Sequence, residues 1–80
     1  MFLEIITPEK KAFSGEVKLV KVPGTAGSFT ILDHHAPIIS TLEKGVIKVI
    51  TIDGDKLEFS TDGGVIQMKS NSIILLSETA

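Results

Sequence analysis

Val46-Ile47-Lys48-Val49-Ile50-Thr51-Ile52-Asp53-Gly54-Asp55-Lys56-Leu57-Glu58-Phe59-Ser60 is the stretch from which the fold is read. Two runs rich in β-branched and apolar residues flank Asp53-Gly54, a dipeptide that accepts the positive φ values of a tight hairpin turn. The second run alternates, so Leu57 and Phe59 are expected to face inward and Lys56, Glu58 and Ser60 outward. A hairpin is therefore the founding element, and its neighbours extend the pattern.

Short apolar segments separated by turn residues recur along the chain, and none keeps a helical period for the ten or so residues that a helix needs. Strands are expected near Phe2–Thr7, Lys11–Phe13, Glu16–Val22, Ser28–Leu32, Ile38–Leu42, Gly45–Ile52, Lys56–Thr61, Gly64–Lys69 and Ser72–Leu76. Pro8-Glu9-Lys10, Ser14-Gly15, Glu43-Lys44-Gly45, Asp62-Gly63 and Ser70-Asn71 read as the separators. This is an all-β pattern in one domain, residues 1–80. Ile38-Ile39 and Ile73-Ile74-Leu75-Leu76 break the alternation, and they predict either burial between layers or an apolar face held for a partner. In so small a domain the second option gains weight, because burial on both sides needs a third layer.

The 80 residues are 42% hydrophobic, 5% aromatic and 22% charged, with a mean hydropathy of +0.32. A chain of this length buries only about 60% of its unfolded surface, so its stability rests on dense apolar packing. With no cysteine, disulfides, thiolate chemistry and cysteine-based zinc sites are excluded together. The net charge of −2 and the absence of Trp and Tyr argue against nucleic acid as a partner. No apolar run approaches the roughly 20 residues that cross a bilayer as a helix.

Few residues invite a catalytic reading. His34 and His35 are the two imidazoles, beside Asp33, but neighbours on a strand point to opposite faces and a zinc site wants three or four ligands. No metal is expected. No nucleophile or second carboxylate stands at a motif spacing beside them, so no catalytic residue is assigned. Gly24-Thr25-Ala26-Gly27 feeds a strand, whereas a phosphate-cradling loop feeds a helix N-terminus, so it reads as a turn. Met68-Lys69 ends a strand before Ser70-Asn71, and the alternative function is a biotin-carrier-like β domain modified on Lys69. Against it, Ser70 stands where the carrier motif has a second methionine.

The ordered set of Thr7-Pro8, Phe13-Ser14-Gly15-Glu16-Val17, Val22-Pro23-Gly24-Thr25-Ala26-Gly27-Ser28-Phe29-Thr30-Ile31-Leu32, His35-Ala36-Pro37, Leu42 through Val49, Gly63-Gly64 and Leu75 through Ala80 resembles the N-terminal domain of the epsilon subunit of F-type ATP synthases. The resemblance covers nearly the whole chain and implies a flattened two-sheet β-sandwich of about ten short strands. It further implies a non-catalytic rotor subunit of the central stalk. Such a subunit links the gamma subunit to the membrane c ring and couples proton translocation to ATP synthesis, on the cytoplasmic face of the bacterial inner membrane. By position, the resemblance assigns Thr7, His35 and Ser40 to the gamma interface and Ala26, Gly27 and Ser28 to the c-ring interface.

Three departures accompany it. The family usually has an acidic residue where Ser28 stands, and nearby Asp33 is a candidate to supply the charge. It tends to have Pro-Gly before the matching histidine, where this chain has Asp33-His34, so that corner is expected to need a costlier backbone or another turn. Most members continue past the residues matching Thr79-Ala80 into a C-terminal helical hairpin that nothing here encodes, so no cofactor and no nucleotide binding are expected.

Overall fold

In the computed structural model, which describes residues 1–78, eight strands follow one another. They are β1 (Phe2–Ile6), β2 (Lys11–Val22), β3 (Phe29–Leu32), β4 (Ile38–Leu42), β5 (Gly45–Thr51), β6 (Lys56–Thr61), β7 (Gly64–Lys69) and β8 (Ser72–Ser77). Thr79 and Ala80, the last residues of the resemblance, lie outside the described residues. The hydrogen-bonded order is β4-β7-β8-β1-β2-β5-β6, with β3 also paired to β2. All pairs are antiparallel except β1 with β8.

The two layers share β2. Its first half pairs with β1 and completes a front sheet of β4, β7, β8 and β1, while its second half lies between β3 and β5 in a back sheet that ends at β6. A strand that serves both layers must keep apolar side chains inward while it bends. The β2–β5 register shifts between Val17 and Leu19, which places one extra residue in β2. Val17 faces the core before this bulge and Val20 and Val22 after it, so the inward positions change from odd to even numbers. Bulges bend a strand and increase its twist, which is what a strand passing from one layer to the other requires.

The core forms between the layers. Leu3, Ile5, Ile66, Met68, Ile73 and Leu75 come from the front sheet, and Val17, Val20, Val22, Ile31, Ile47 and Val49 from the back sheet, all fully buried. Each contributes about 1.5–3 kcal/mol by leaving water. Phe13 and Phe59 join β2 to β6 edge to face, with ring centroids 5.8 Å apart.

The hairpin at Asp53-Gly54 forms, pairing Ile50 with Lys56 and Gly45 with Thr61 at its two ends, but its loop is longer than a two-residue turn. The Thr51 N–H donates to the Asp55 carbonyl at 2.9 Å, and of the dipeptide only Gly54 takes a positive φ, 92°. The strand count differs from the sequence expectation. Lys11–Phe13 and Glu16–Val22 are one strand, not two, because the backbones of Ser14 and Gly15 continue the ladder opposite Glu4 and Leu3. Eight strands therefore replace the nine segments read locally and the ten or so implied by resemblance. The mixed apolar runs resolve by alternation. Ile73 and Leu75 are buried, whereas Ile74 is 43% exposed, Leu76 51% and Ile39 73%.

Candidate docking surfaces

Cross-strand register builds one apolar field on the outer face of the front sheet. Residues opposed across adjacent strands point to the same side. Thr41, Val65, Leu76 and Ile6 form one row, and Ile39, Gln67, Ile74 and Glu4 form the next. Ile39, Val65, Ile74 and Leu76 are exposed, and the β1 side of the field is bordered by the Glu4–Lys11 ion pair at 2.8 Å. The Ser70-Asn71 turn sets this register. Both residues have positive φ, 53° and 60°, as a two-residue type I′ hairpin demands. Val65 was not singled out from the sequence, although counting back from this two-residue turn places it opposite Leu76.

The positions assigned to gamma frame this field and do not meet. Thr7 follows β1 at the end of the sheet where Leu76 and Thr41 lie, and its hydroxyl donates to the Lys10 carbonyl at 3.0 Å and accepts the Lys10 N–H at 3.1 Å. His35 precedes β4 at the opposite end, with its Nδ1 2.7 Å from the Ala36 carbonyl. Ser40 stands on edge strand β4, but it is opposite buried Ile66, so its side chain shares the inner face and is half-buried. On that strand the outward residues are Ile39 and Thr41.

Ala26-Gly27-Ser28 forms the exposed turn between β2 and β3, and Gly27 adopts φ 130° with open space around it. The turn is anchored at its base. Gly24 pairs with Leu42, the Thr25 N–H donates to the Thr41 carbonyl at 3.1 Å, and the Thr25 and Thr41 hydroxyls are 2.7 Å apart. Gly24 is required there, since a Cβ would come within 2.7 Å of the Gly27 carbonyl oxygen and the Phe29 ring. The turn and the apolar field thus meet at Thr41.

Asp33 does not supply charge to that turn. It lies beyond the other end of β3, where its Oδ1 accepts from the Met1 α-ammonium at 2.9 Å and from Asn71 Nδ2 at 3.0 Å. These two hydrogen bonds, with the nearby His34 ring and the ammonium charge, hold the carboxyl below the usual aspartate value. The costlier corner is present as well. His34 takes φ 60°, an uncommon conformation for a residue with a Cβ. Its N–H donates to Asn71 Oδ1 at 2.8 Å, so a single asparagine ties this corner to the type I′ turn and to Asp33.

Among the described residues no group of three or more His, Cys, Asp or Glu side chains could hold a metal ion. His34 is within 3.5 Å of an Asp33 carboxylate oxygen, and His35 turns its ring to the Ala36 carbonyl. Lys69 ends β7 at the mouth of the type I′ turn, exposed and opposite Ser72.

Comparison with known proteins agrees with this all-β architecture. Residues 1–80 match the family described as ATP synthase, Delta/Epsilon chain, beta-sandwich domain. An ATP synthase epsilon chain of Campylobacter hominis is 44% identical over 81 residues, covering 100% of this chain and 62% of that protein. An ATP synthase epsilon chain of Chlorobium limicola is 40% identical, covering 95% of this chain and 86% of that protein. The chain therefore spans under two thirds of the Campylobacter relative and most of the Chlorobium one. Among solved structures, a chain of the Euglena gracilis mitochondrial ATP synthase OSCP/F1/c-ring assembly superposes with a TM-score of 0.88 at 17% identity. That match covers 95% of this chain and 49% of the other, and at such identity it speaks for the fold alone. With the family model matched from end to end and an epsilon chain 40% identical over most of its own length, the chain belongs to the ATP synthase delta/epsilon β-sandwich family.

Proposed function

We propose that this domain is a non-catalytic coupling element in the central stalk of an F-type ATP synthase, held between the gamma subunit and the c ring of the membrane. In a bacterium it would act on the cytoplasmic side of the membrane as part of that complex. The observation that carries the reading is the exposed apolar field of Ile39, Val65, Ile74 and Leu76, framed by Thr7, His35 and Ser40. A small monomeric domain has little reason to leave four large aliphatic side chains contiguous in water, and such a patch marks an interface. This face is the proposed gamma side, and the Ala26-Gly27-Ser28 turn the proposed ring side. An element that passes torque between two partners must be stiff. The Thr25–Thr41 anchorage joins the two surfaces without an intervening flexible segment.

Isothermal titration of the folded domain into purified gamma subunit tests the reading. Ile39→Lys places a charge in the apolar field at a position 73% exposed, so its effect on stability should stay within about 0.5 kcal/mol. Binding to gamma should weaken at least about tenfold, close to 1.4 kcal/mol. An absence of binding by the unaltered, folded domain, or equal binding by the variant, would overturn the proposal. Ser40→Arg is the poorer probe, because Ser40 shares the inner face with Ile66 and the substitution would disturb packing.

A further inference from the structure

The outer face of the back sheet has a different chemistry from the apolar field. There the register places Lys21 directly opposite Lys48, and Lys48 opposite Glu58. In the adjacent row Leu32, Leu19 and Ile50 lie side by side and end at Lys56. A row of three aliphatic side chains thus runs across β3, β2 and β5, with basic groups along one flank and at one end. Like charges directly opposed across strands are unfavourable, yet Lys21 and Lys48 stand so. Among the described residues no carboxylate comes within ion-pair distance of Lys21, Lys48 or Lys56, including Glu58.

We infer that this face is a second docking surface, distinct from the gamma side, and that its occupant is an acidic amphipathic helix from another protein. Charge complementarity selects the acid. Lys21, Lys48 and Lys56 stand on a domain whose overall charge is −2, so the basic character is local to this face. Geometry selects the helix. Four strands about 4.8 Å apart present a strip about 15 Å wide, the length of about ten helical residues. A helix laid across the strands sets one apolar stripe on Leu32, Leu19 and Ile50 while its carboxylates reach the three ammonium groups. An anionic bilayer fits less well. Leu19 and Ile50 are half-buried between the flanking side chains and form a floor, where membrane anchoring needs projecting apolar groups.

The probe is a synthetic helix-forming peptide of about 12 residues with leucines on one face and glutamates on the other. Its control carries glutamine for each glutamate, and phosphatidylglycerol vesicles form a parallel arm. Fluorescence anisotropy should show salt-sensitive binding of the acidic peptide, weak or absent binding of the glutamine form, and no attachment to the vesicles. The double variant Lys21→Glu with Lys48→Glu should lose at least about tenfold in affinity with an unchanged melting temperature. Should that variant unfold, Lys21→Gln with Lys48→Gln gives the same reading with a smaller loss. Ile39→Lys, on the front sheet, should leave peptide binding unchanged. Vesicle binding without peptide binding, equal binding of both peptides, or indifference to the lysine substitutions would overturn the inference.

Discussion

The hydroxyls of Thr25 and Thr41 lie 2.7 Å apart, joining the turn between β2 and β3 to the edge strand that borders the exposed apolar field. The Thr25 N–H reinforces the link by donating to the Thr41 carbonyl at 3.1 Å. Because the backbone bond remains, replacing Thr25 by Val removes only the hydroxyl pair. That pair is exposed, so global stability should fall by no more than about 1 kcal/mol. The local consequence is the informative one. Amide hydrogen exchange at Thr25 and Gly27 should accelerate while exchange in β5 and β7 stays unchanged, and a uniform change across the domain would contradict a local anchor.

A buried counterpart lies at the end of β6. Thr61 Oγ1 donates to the Gly63 carbonyl at 2.9 Å, accepts the Gly63 N–H at 3.1 Å, and is 2.7 Å from Ser77 Oγ. The back sheet is thereby fastened to the front sheet through polar atoms shielded from water. Thr61→Val keeps the volume but removes the acceptor of the buried Gly63 N–H, so urea unfolding should show a loss of about 1–3 kcal/mol. Adding Ser77→Ala should cost less than its effect alone, because the two residues share one network.

Gly64 tests the backbone fit between β7 and β8. A Cβ built there would overlap the carbonyl of Leu76, and the nearest atoms are all main chain of β8, so no flexible side chain is there to yield. Gly64→Ala should cost more than about 3 kcal/mol and lower the soluble yield on expression. Gly27→Ala is the contrast, since that Cβ meets nothing within 4 Å and only the positive φ of 130° is strained. About 1–2 kcal/mol is expected there, measured as a shift in the thermal midpoint.

The Asp33 cluster makes stability depend on acid. Its carboxyl has a lowered folded-state pKa, through its hydrogen bonds to the Met1 ammonium and Asn71. A lowered acid contributes fully above the ordinary aspartate range, about pH 4, and that contribution is lost as pH falls through the folded value. The difference in urea midpoint between the wild type and Asp33→Asn should hold steady from pH 7 to about pH 5 and shrink below about pH 4. A gap that persists at lower pH would mean that Asp33 acts by shape and not by charge.

Much of the architecture was legible locally, and the reasons are specific. Asp53-Gly54 marks the loop of one hairpin, and Ser70-Asn71 sits where a two-residue turn must sit, which sets the pairing of the strands it joins. The burial of Leu57 and Phe59 over Lys56 and Glu58 follows from a period of two. Ser14-Gly15 misled because its composition is that of a turn, while long-range pairing with Leu3 and Glu4 holds it extended. Ser40, which the register turns inward opposite Ile66, is a different case. A match by position carries no information about which face of an edge strand a side chain takes.

Strand chemistry, the hairpins, the lack of metal-binding cysteine and the presence of unusually apolar β8 and β4 were determined by the sequence itself, because each depends on residues within a few positions of one another. Tertiary structure alone decided the rest. Parallel pairing of β1 with β8 aligns residues about 70 positions apart, as Ile6 with Leu76, and so completes the front row of the apolar field. The bulge after Val17 turns β2 from one layer into the other and brings Lys21 opposite Lys48. No local periodicity encodes either event, since both are resolved by the joint requirement that two sheets bury one core and leave no inward polar group unpaired.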